Sequence, residues 1–269
     1  MDYMINRFGS AIASAVVYDF DRDLKLEVSL NEHMGSQIFW YGSYNRDILR
    51  VLSRLLKPGM VFLDVGANIG EVSVFSAKRV TEAGKVLAIE PVSAIAARLQ
   101  RNLDMNGYTH ANVIRFGVAD YKGAADIFLP ESEGCQAQYN AGLATLYPPA
   151  AADGKRERIE ITTLDDIVSD YGLDRLDIIK IDIEGGELPA LRGARKLLDR
   201  FHPWIIIEVK LENKSSHAEA EESVLSYLSE FGYHFEVIGR NGACSPVSMD
   251  TLREFQNVLC VPGGRQSYG

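Results

Sequence analysis

Carboxylates recur in this chain at one kind of place, the end of a short apolar run. Asp64 falls near the end of Val61 to Val65, and Glu90 closes Lys85 to Ile89. Asp120 follows the run at Val113 to Phe116, Asp182 closes Leu176 to Ile181, and Glu208 ends Trp204 to Ile207. If these runs are parallel strands, the acids collect at the carboxyl ends, the rim where α/β sheets bind ligands. Solvation alone does not gather that many acids on one rim. Lys180, Asp182 and Glu184 are two apart, so an extended chain turns all three to one side. A base in such a cluster can take the proton from a hydroxyl, a poor nucleophile until then. Asp182 is the first candidate for this catalytic work, with Glu184 and Glu208 behind it. Lys180 either takes part or pairs with an acid to hold the rim together. A divalent cation such as Mg2+, held by Asp182 and Glu208, is the alternative way to draw off the proton. His33, His202 and His217 are conceivable bases, but each stands outside any motif and reads as a surface or cap residue.

The ligand is indicated by the run Asp64-Val65-Gly66-Ala67-Asn68-Ile69-Gly70. Glycines between a strand and a helix let a ligand approach bare backbone, and a helix start offers unpaired N–H groups. The dinucleotide version of this turn, G-x-G-x-x-G, seats a pyrophosphate; here Asn68 replaces the glycine that admits it. Asp64 repels a diphosphate and suits the ammonium of an amino acid. Glu90, at the end of the next strand, is placed to accept from both hydroxyls of a ribose. A nucleoside carrying an amino acid and no phosphate is S-adenosylmethionine. Its sulfonium methyl is already electrophilic, which leaves the protein to align the acceptor and remove its proton.

These residues need elements to position them. From Val61 onward apolar runs alternate with helical spacing, the pattern of a parallel sheet with helical crossovers. Helices are expected from Glu71, over Ser93 to Met105, over Leu188 to Leu198 and over Glu219 to Phe231. Asn45 is placed to cap another over Arg46 to Leu56, stopped by Pro58-Gly59. Lys25 to Leu30 alternates like a half-exposed strand, and His33 to Tyr44 reads as a small cap. Ala125 to Leu129 and Arg158 to Thr162 are further extended stretches. The almost wholly apolar Trp204 to Val209 reads as a central strand. Tyr233 to Ile238 and Val258 to Val261 read as a closing pair at one sheet edge. Gly, Pro, Ala and Ser run through roughly 130 to 156, and a loop of that length is functional or mobile.

At 269 residues, 46% hydrophobic and 24% charged, the chain suits one large soluble α/β domain with additions. A net charge of −9 and a pI near 5.1 argue against nucleic acid as the main partner, since phosphate binding needs a basic face. Cys135, Cys244 and Cys260 are scattered and odd in number, which indicates neither a disulfide framework nor a zinc cluster. No apolar run approaches the roughly 20 residues of a membrane span, and no basic-then-apolar signal pattern opens the chain. The expectation is a cytoplasmic protein without a membrane span.

Several blocks resemble the FkbM family of S-adenosylmethionine-dependent methyltransferases. They are Gly42-Ser43-Tyr44, the Phe62 to Val74 turn, Ala88-Ile89-Glu90-Pro91 and Gly117-Val118-Ala119-Asp120. Thr162-Thr163-Leu164-Asp165, Ile178 to Glu187, Leu191-Arg192-Gly193-Ala194 and Pro203 to Glu208 complete the series. The resemblance implies a class I, Rossmann-like, doubly wound methyltransferase sheet of seven strands with the last antiparallel. It implies residues 1–45 as an N-terminal extension or cap and 46–262 as the cofactor-binding domain, with 130–156 a flexible insertion at the acceptor. By the same resemblance Asp64, Gly66, Ala67, Asn68 and Gly70 line the methionine end of the cofactor. Glu90 with Pro91 holds the ribose, Val118, Ala119 and Asp120 flank the adenine, and Asp182 lies beside the methyl. The implied reaction is O-methylation of a sugar, glycolipid, polysaccharide or natural product. One departure is that Asn45 follows Tyr44 where family members often carry an acid.

Two other readings remain open. The acceptor is an amine or a nucleic-acid base, or the chain binds the cofactor without catalysis. The Asn/Asp-Pro-Pro-aromatic block that stacks a flipped base is missing; Pro148-Pro149 is preceded by Tyr147 and followed by Ala150. An intact rim of acids weighs against a non-catalytic module. The oligomeric state stays open, a homodimer among the options.

Overall fold

The computed structural model describes residues 14–130, 144–146, 154–210, 218–247 and 255–264. A hairpin of β1 (Ser14–Phe20) and β2 (Leu24–Ser29) leads into α1 (His33–Tyr41) and α2 (Arg46–Leu55). The alternating part is β3 (Val61–Val65), α3 (Glu71–Val80), β4 (Lys85–Ile89), α4 (Ser93–Met105) and β5 (Ala111–Ile114). After β6 (Gly117–Val118), β7 (Gly123–Pro130) and β8 (Gly154–Thr162) come α5 (Leu164–Asp170), β9 (Ile178–Ile181), α6 (Glu187–Arg192) and α7 (Arg195–Phe201). The chain continues through β10 (Trp204–Lys210), α8 (Ala218–Ser229), β11 (Tyr233–Ile238), β12 (Cys244–Pro246) and β13 (Phe255–Pro262).

The main sheet has eight strands in the order β12-β11-β13-β10-β9-β3-β4-β5. From β10 to β5 neighbouring strands are parallel, while β13 runs antiparallel to both β10 and β11. This is the doubly wound α/β arrangement that was expected, with one short strand more than the expected seven. The extra strand, β12, occupies the edge and ends in Pro246, a residue an edge tolerates because it lacks an N–H to share. The closing pair is therefore not at the edge. β13 lies between β10 and β11, where Val258, Cys260 and Val261 are completely buried.

Period-two alternation sends β-strand side chains to two cores. Phe62, Ile178 and Ile206 pack on one face, and Leu63, Val65, Ile179, Ile181, Ile205 and Ile207 on the other. Leu26 and Val28 of the hairpin join the first core, with Leu99 and Leu103 of α4. A fully buried leucine of this kind contributes about 2–3 kcal/mol. A second sheet, ordered β6-β8-β7, stands beside the first. The expected helix over Leu188 to Leu198 is broken in two. Gly193 passes so close to β6 that a Cβ there would lie 2.2 Å from the Ala119 carbonyl oxygen, and Asp165 caps the restarted helix through the N–H groups of Lys196 and Leu197.

Candidate active site

The sheet order reverses between β3 and β9: from β3 the chain builds outward to β5, then returns to β9 and β10. Their carboxyl ends meet there, with Val65 opposite Ile181 and the Asp182 N–H donating to the Val65 carbonyl at 3.1 Å. A cavity of about 360 Å3 opens at this switch point.

On the β3 side the wall is the turn Gly66, Ala67 and Asn68. Gly66 has φ +75°, and a Cβ on it would sit 1.9 Å from the Asp182 carbonyl oxygen, so only glycine lets the two strand ends approach. Asn68 is left-handed at φ +49°, a conformation asparagine accepts more readily than most residues. The backbone N–H groups of this turn are already engaged. Those of Gly66 and Ala67 donate to the Ile89 carbonyl, that of Asn68 to Glu90 Oε2, that of Ile69 to Asn68 Oδ1, and that of Gly70 to the Ala67 carbonyl. The N–H groups of the turn itself are thus taken, and a phosphate seated on Gly66 to Gly70 would have to displace these bonds. Such a site fits a phosphate-free nucleoside.

Glu90 and Pro91 line the next part of the wall, with Val118, Phe116, Ile127 and Ile159 forming an apolar end. The Glu90 carboxylate also accepts from the Val92 N–H at 3.0 Å. Burial pushes its pKa up to about 7 in spite of the Val92 and Asn68 donors. Ala144 and Leu146, within the 130–156 segment, reach the cavity, and Thr145 Oγ1 donates to the Glu184 carbonyl at 2.9 Å.

Lys180, Asp182, Glu184 and Glu208 line the remaining end together. β9 stops at Ile181, and Glu184 has φ +53°, so a turn rather than strand alternation carries Asp182 and Glu184 to the wall. Glu187 holds that turn by accepting from the N–H groups of Ile183 and Gly185. Lys180 Nζ donates to the Gly66 carbonyl at 2.9 Å and lies 3.4 Å from Asp182 and 3.6 Å from Asp64. Burial opposes its charge, but Asp182 and Asp64 outweigh burial and raise its pKa. Lys180 therefore ties the turn to the acids as a buried ammonium. Asp182, Glu184 and Glu208 each offer a carboxylate oxygen, all within 4.8 Å of one another, an oxygen set able to hold a hard divalent cation.

Four expected cofactor residues stand off the wall. Asp64 is fully buried below it, accepting from Ser73 Oγ at 2.6 Å beside Lys180. Gly70 packs against Leu99, Ala119 is buried under Gly193, and Asp120 is exposed outside the cavity. Of the histidines, His33 meets Tyr44 edge to face at 5.8 Å, His202 ends α7, and His217 lies outside the described residues, as does Cys135. Sequence reasoning missed Met34, Asp47 and Asn257 on the wall. Asp47 and Asn257 are joined by a 3.0 Å hydrogen bond, and Asn257 faces Glu208 across the β10–β13 ladder, a pairing no local pattern announces. No helix among the described residues is long and apolar enough to cross a membrane.

Residues 64–235 match the profile of the Methyltransferase FkbM domain. The AMB antimetabolite synthetase AmbE of Pseudomonas aeruginosa is 25% identical over 242 residues, covering 79% of this chain and 11% of that protein. The methyltransferase sdnD of Sordaria araneosa is 28% identical over 172 residues, 56% of this chain and 64% of the other. The 2-O-methyltransferase NoeI of Sinorhizobium fredii is 25% identical over 162 residues, again 56% and 64%. The chain thus spans less than two thirds of each of these relatives.

Proposed function

The chain belongs to the FkbM methyltransferase family, and from that premise we propose that it transfers the methyl group of S-adenosylmethionine to a hydroxyl of a sugar, glycolipid, polysaccharide or natural product. The observation that carries this reading is the cavity's division into two unlike ends. One is an end with Glu90 at its side, a glycine turn whose N–H groups are already bonded, and apolar walls. The other is a group of three carboxylates within 4.8 Å of one another. Gly66, Ala67, Asn68, Glu90, Pro91 and Val118 would hold the cofactor, which supplies an electrophilic methyl group when bound. Asp182, Glu184 and Glu208 accept hydrogen bonds from the acceptor hydroxyl and take its proton, with Lys180 fixing Asp182 in place. Asp64 acts indirectly, by holding Lys180 and Ser73. NoeI, a 2-O-methyltransferase, supports oxygen as the methylated atom. Residues 46–262 hold the catalytic unit in this reading, with Ala144 and Leu146 at the acceptor end; the rest of the 130–156 segment and residues 1–13 lie largely outside the described residues.

The closeness of the three carboxylates favours one second reading, a divalent cation such as Mg2+ that acidifies the hydroxyl. Labelled S-adenosylmethionine incubated with fractionated cell extract tests both. Asp182→Asn should lower methyl incorporation by about 100-fold or more while leaving cofactor affinity nearly unchanged. Equal turnover removes Asp182 as base or ligand. A chelator that abolishes incorporation selects the cation reading, and insensitivity selects the carboxylate base.

A further inference from the structure

Glu71 is a buried acid that the proposed proton transfer does not use. It is the first residue of α3, directly after the cofactor turn, and is completely enclosed. Its carboxylate is not part of the cavity wall. It points instead to the chain entering α2. Oε1 accepts the Tyr44 N–H at 2.6 Å, and Oε2 accepts both the Asn45 N–H and Asn45 Nδ2 at 3.0 Å. One carboxylate therefore takes three donors from two consecutive residues. Its place at a helix N-terminus lowers the cost of enclosing it.

Those bonds determine where Tyr44 stands. Tyr44 lines the cavity, and its ring meets His33 edge to face. The side chain is half exposed, and its phenol keeps its proton at neutral pH, so the hydroxyl can donate. A ring with a donor tip therefore stands near carboxylates that can only accept. A hydroxylated ring matches both: its C–H face lies on an aromatic side chain while its hydroxyls donate to the acids. Asn45 matters for the same reason. Its amide donates to Glu71, whereas a carboxylate at that position would face another carboxylate.

We propose that Glu71 is a positioning residue that holds Tyr44 as the acceptor-facing wall, and that Tyr44 with Asp182 and Glu208 selects an acceptor presenting hydroxyls on a ring. The acceptor half rests on the methyl-transfer reading above; the positioning half does not.

The test uses the full chain and the variants Glu71→Gln, Asn45→Asp, the two combined, and Tyr44→Ala. Three quantities are measured: amide exchange in the peptide over 42–45, calorimetric affinity for S-adenosylhomocysteine, and incorporation of labelled methyl into fractionated cell extract. Glu71→Gln should speed exchange and lower incorporation by about tenfold each, the scale of one lost charge-assisted bond, with cofactor affinity within about threefold of the parent. Asn45→Asp should act alike through repulsion, and it carries the test if Glu71→Gln does not fold. In the double variant the new amide can donate to the new carboxylate but cannot accept the residue-45 N–H, so exchange protection and incorporation should return in part, above both single variants. Unchanged exchange in both single variants overturns the positioning role, as does a double variant worse than either single one. Parental incorporation by Tyr44→Ala overturns the acceptor contact. If the parent incorporates no label, the methyl-transfer reading fails and takes the acceptor half with it, while the exchange result still decides the positioning half.

Discussion

At the scale of single residues, the acids of this chain divide by what they touch, which their spacing does not reveal. Asp64 and Glu90 occupy neighbouring parallel strands, yet Asp64 is sealed beneath Lys180 while Glu90 reaches the cavity. Glu90 has two duties: it accepts from the N–H groups of the left-handed Asn68 at 3.1 Å and of Val92 at 3.0 Å, and it lines the cavity. Glu90→Ala should therefore weaken S-adenosylhomocysteine binding by roughly 1–3 kcal/mol. Calorimetry checks this, and an affinity equal to the parent's would remove Glu90 from the cofactor site. Asn45 was legible as a helix cap, but its side chain makes no cap bond and is spent on Glu71 instead. A local rule lost there to a buried carboxylate needing donors, which costs more to leave unpaired than an exposed helix end.

At the scale of elements, the strand–turn–helix unit was readable in detail because its signals are local. The run of apolar residues, two glycines and the start of helical spacing lie within one short stretch, and α4 spans Ser93 to Met105 as expected. What could not be read was how closely the elements approach. Gly66 is a turn residue in sequence; in the fold it is the point where β3 and β9 nearly touch. Gly66→Ala places a methyl group against the Asp182 carbonyl in a left-handed backbone, so it should cost about 2–4 kcal/mol of stability. It should also abolish cofactor binding. Urea unfolding and calorimetry measure the two effects, and a variant with parental values would show that the approach can relax freely. The broken helix at Gly193 follows the same logic: the helical spacing was continuous, and the approach to Ala119 together with the Asp165 cap interrupts it.

At the scale of the whole molecule, enclosure of charge links the site to stability. Burial raises the pKa of both Glu71 and Glu90 to about 7, above the ordinary 4.5, so each binds its proton more tightly folded than unfolded. That contribution is complete below about pH 4.5 and is lost as pH rises through about 7. Unfolding free energy of the unliganded protein should fall across this window by roughly 1–3 kcal/mol per group. Urea titrations of the parent and of Glu71→Gln with Glu90→Gln should differ in slope, and identical slopes would refute the effect. The sequence by itself determined the class of fold, the glycine turn after β3, the acid that closes β4 and the acid-rich rim, since each is written in neighbouring residues or in repeats of two and near four. Only the tertiary structure decided which acids face the cavity, that β13 enters between β10 and β11, and that Tyr44, Asp47 and Asn257 join the wall. Those outcomes depend on strand order and on contacts between residues far apart in the chain, and no periodicity encodes a distance across a sheet.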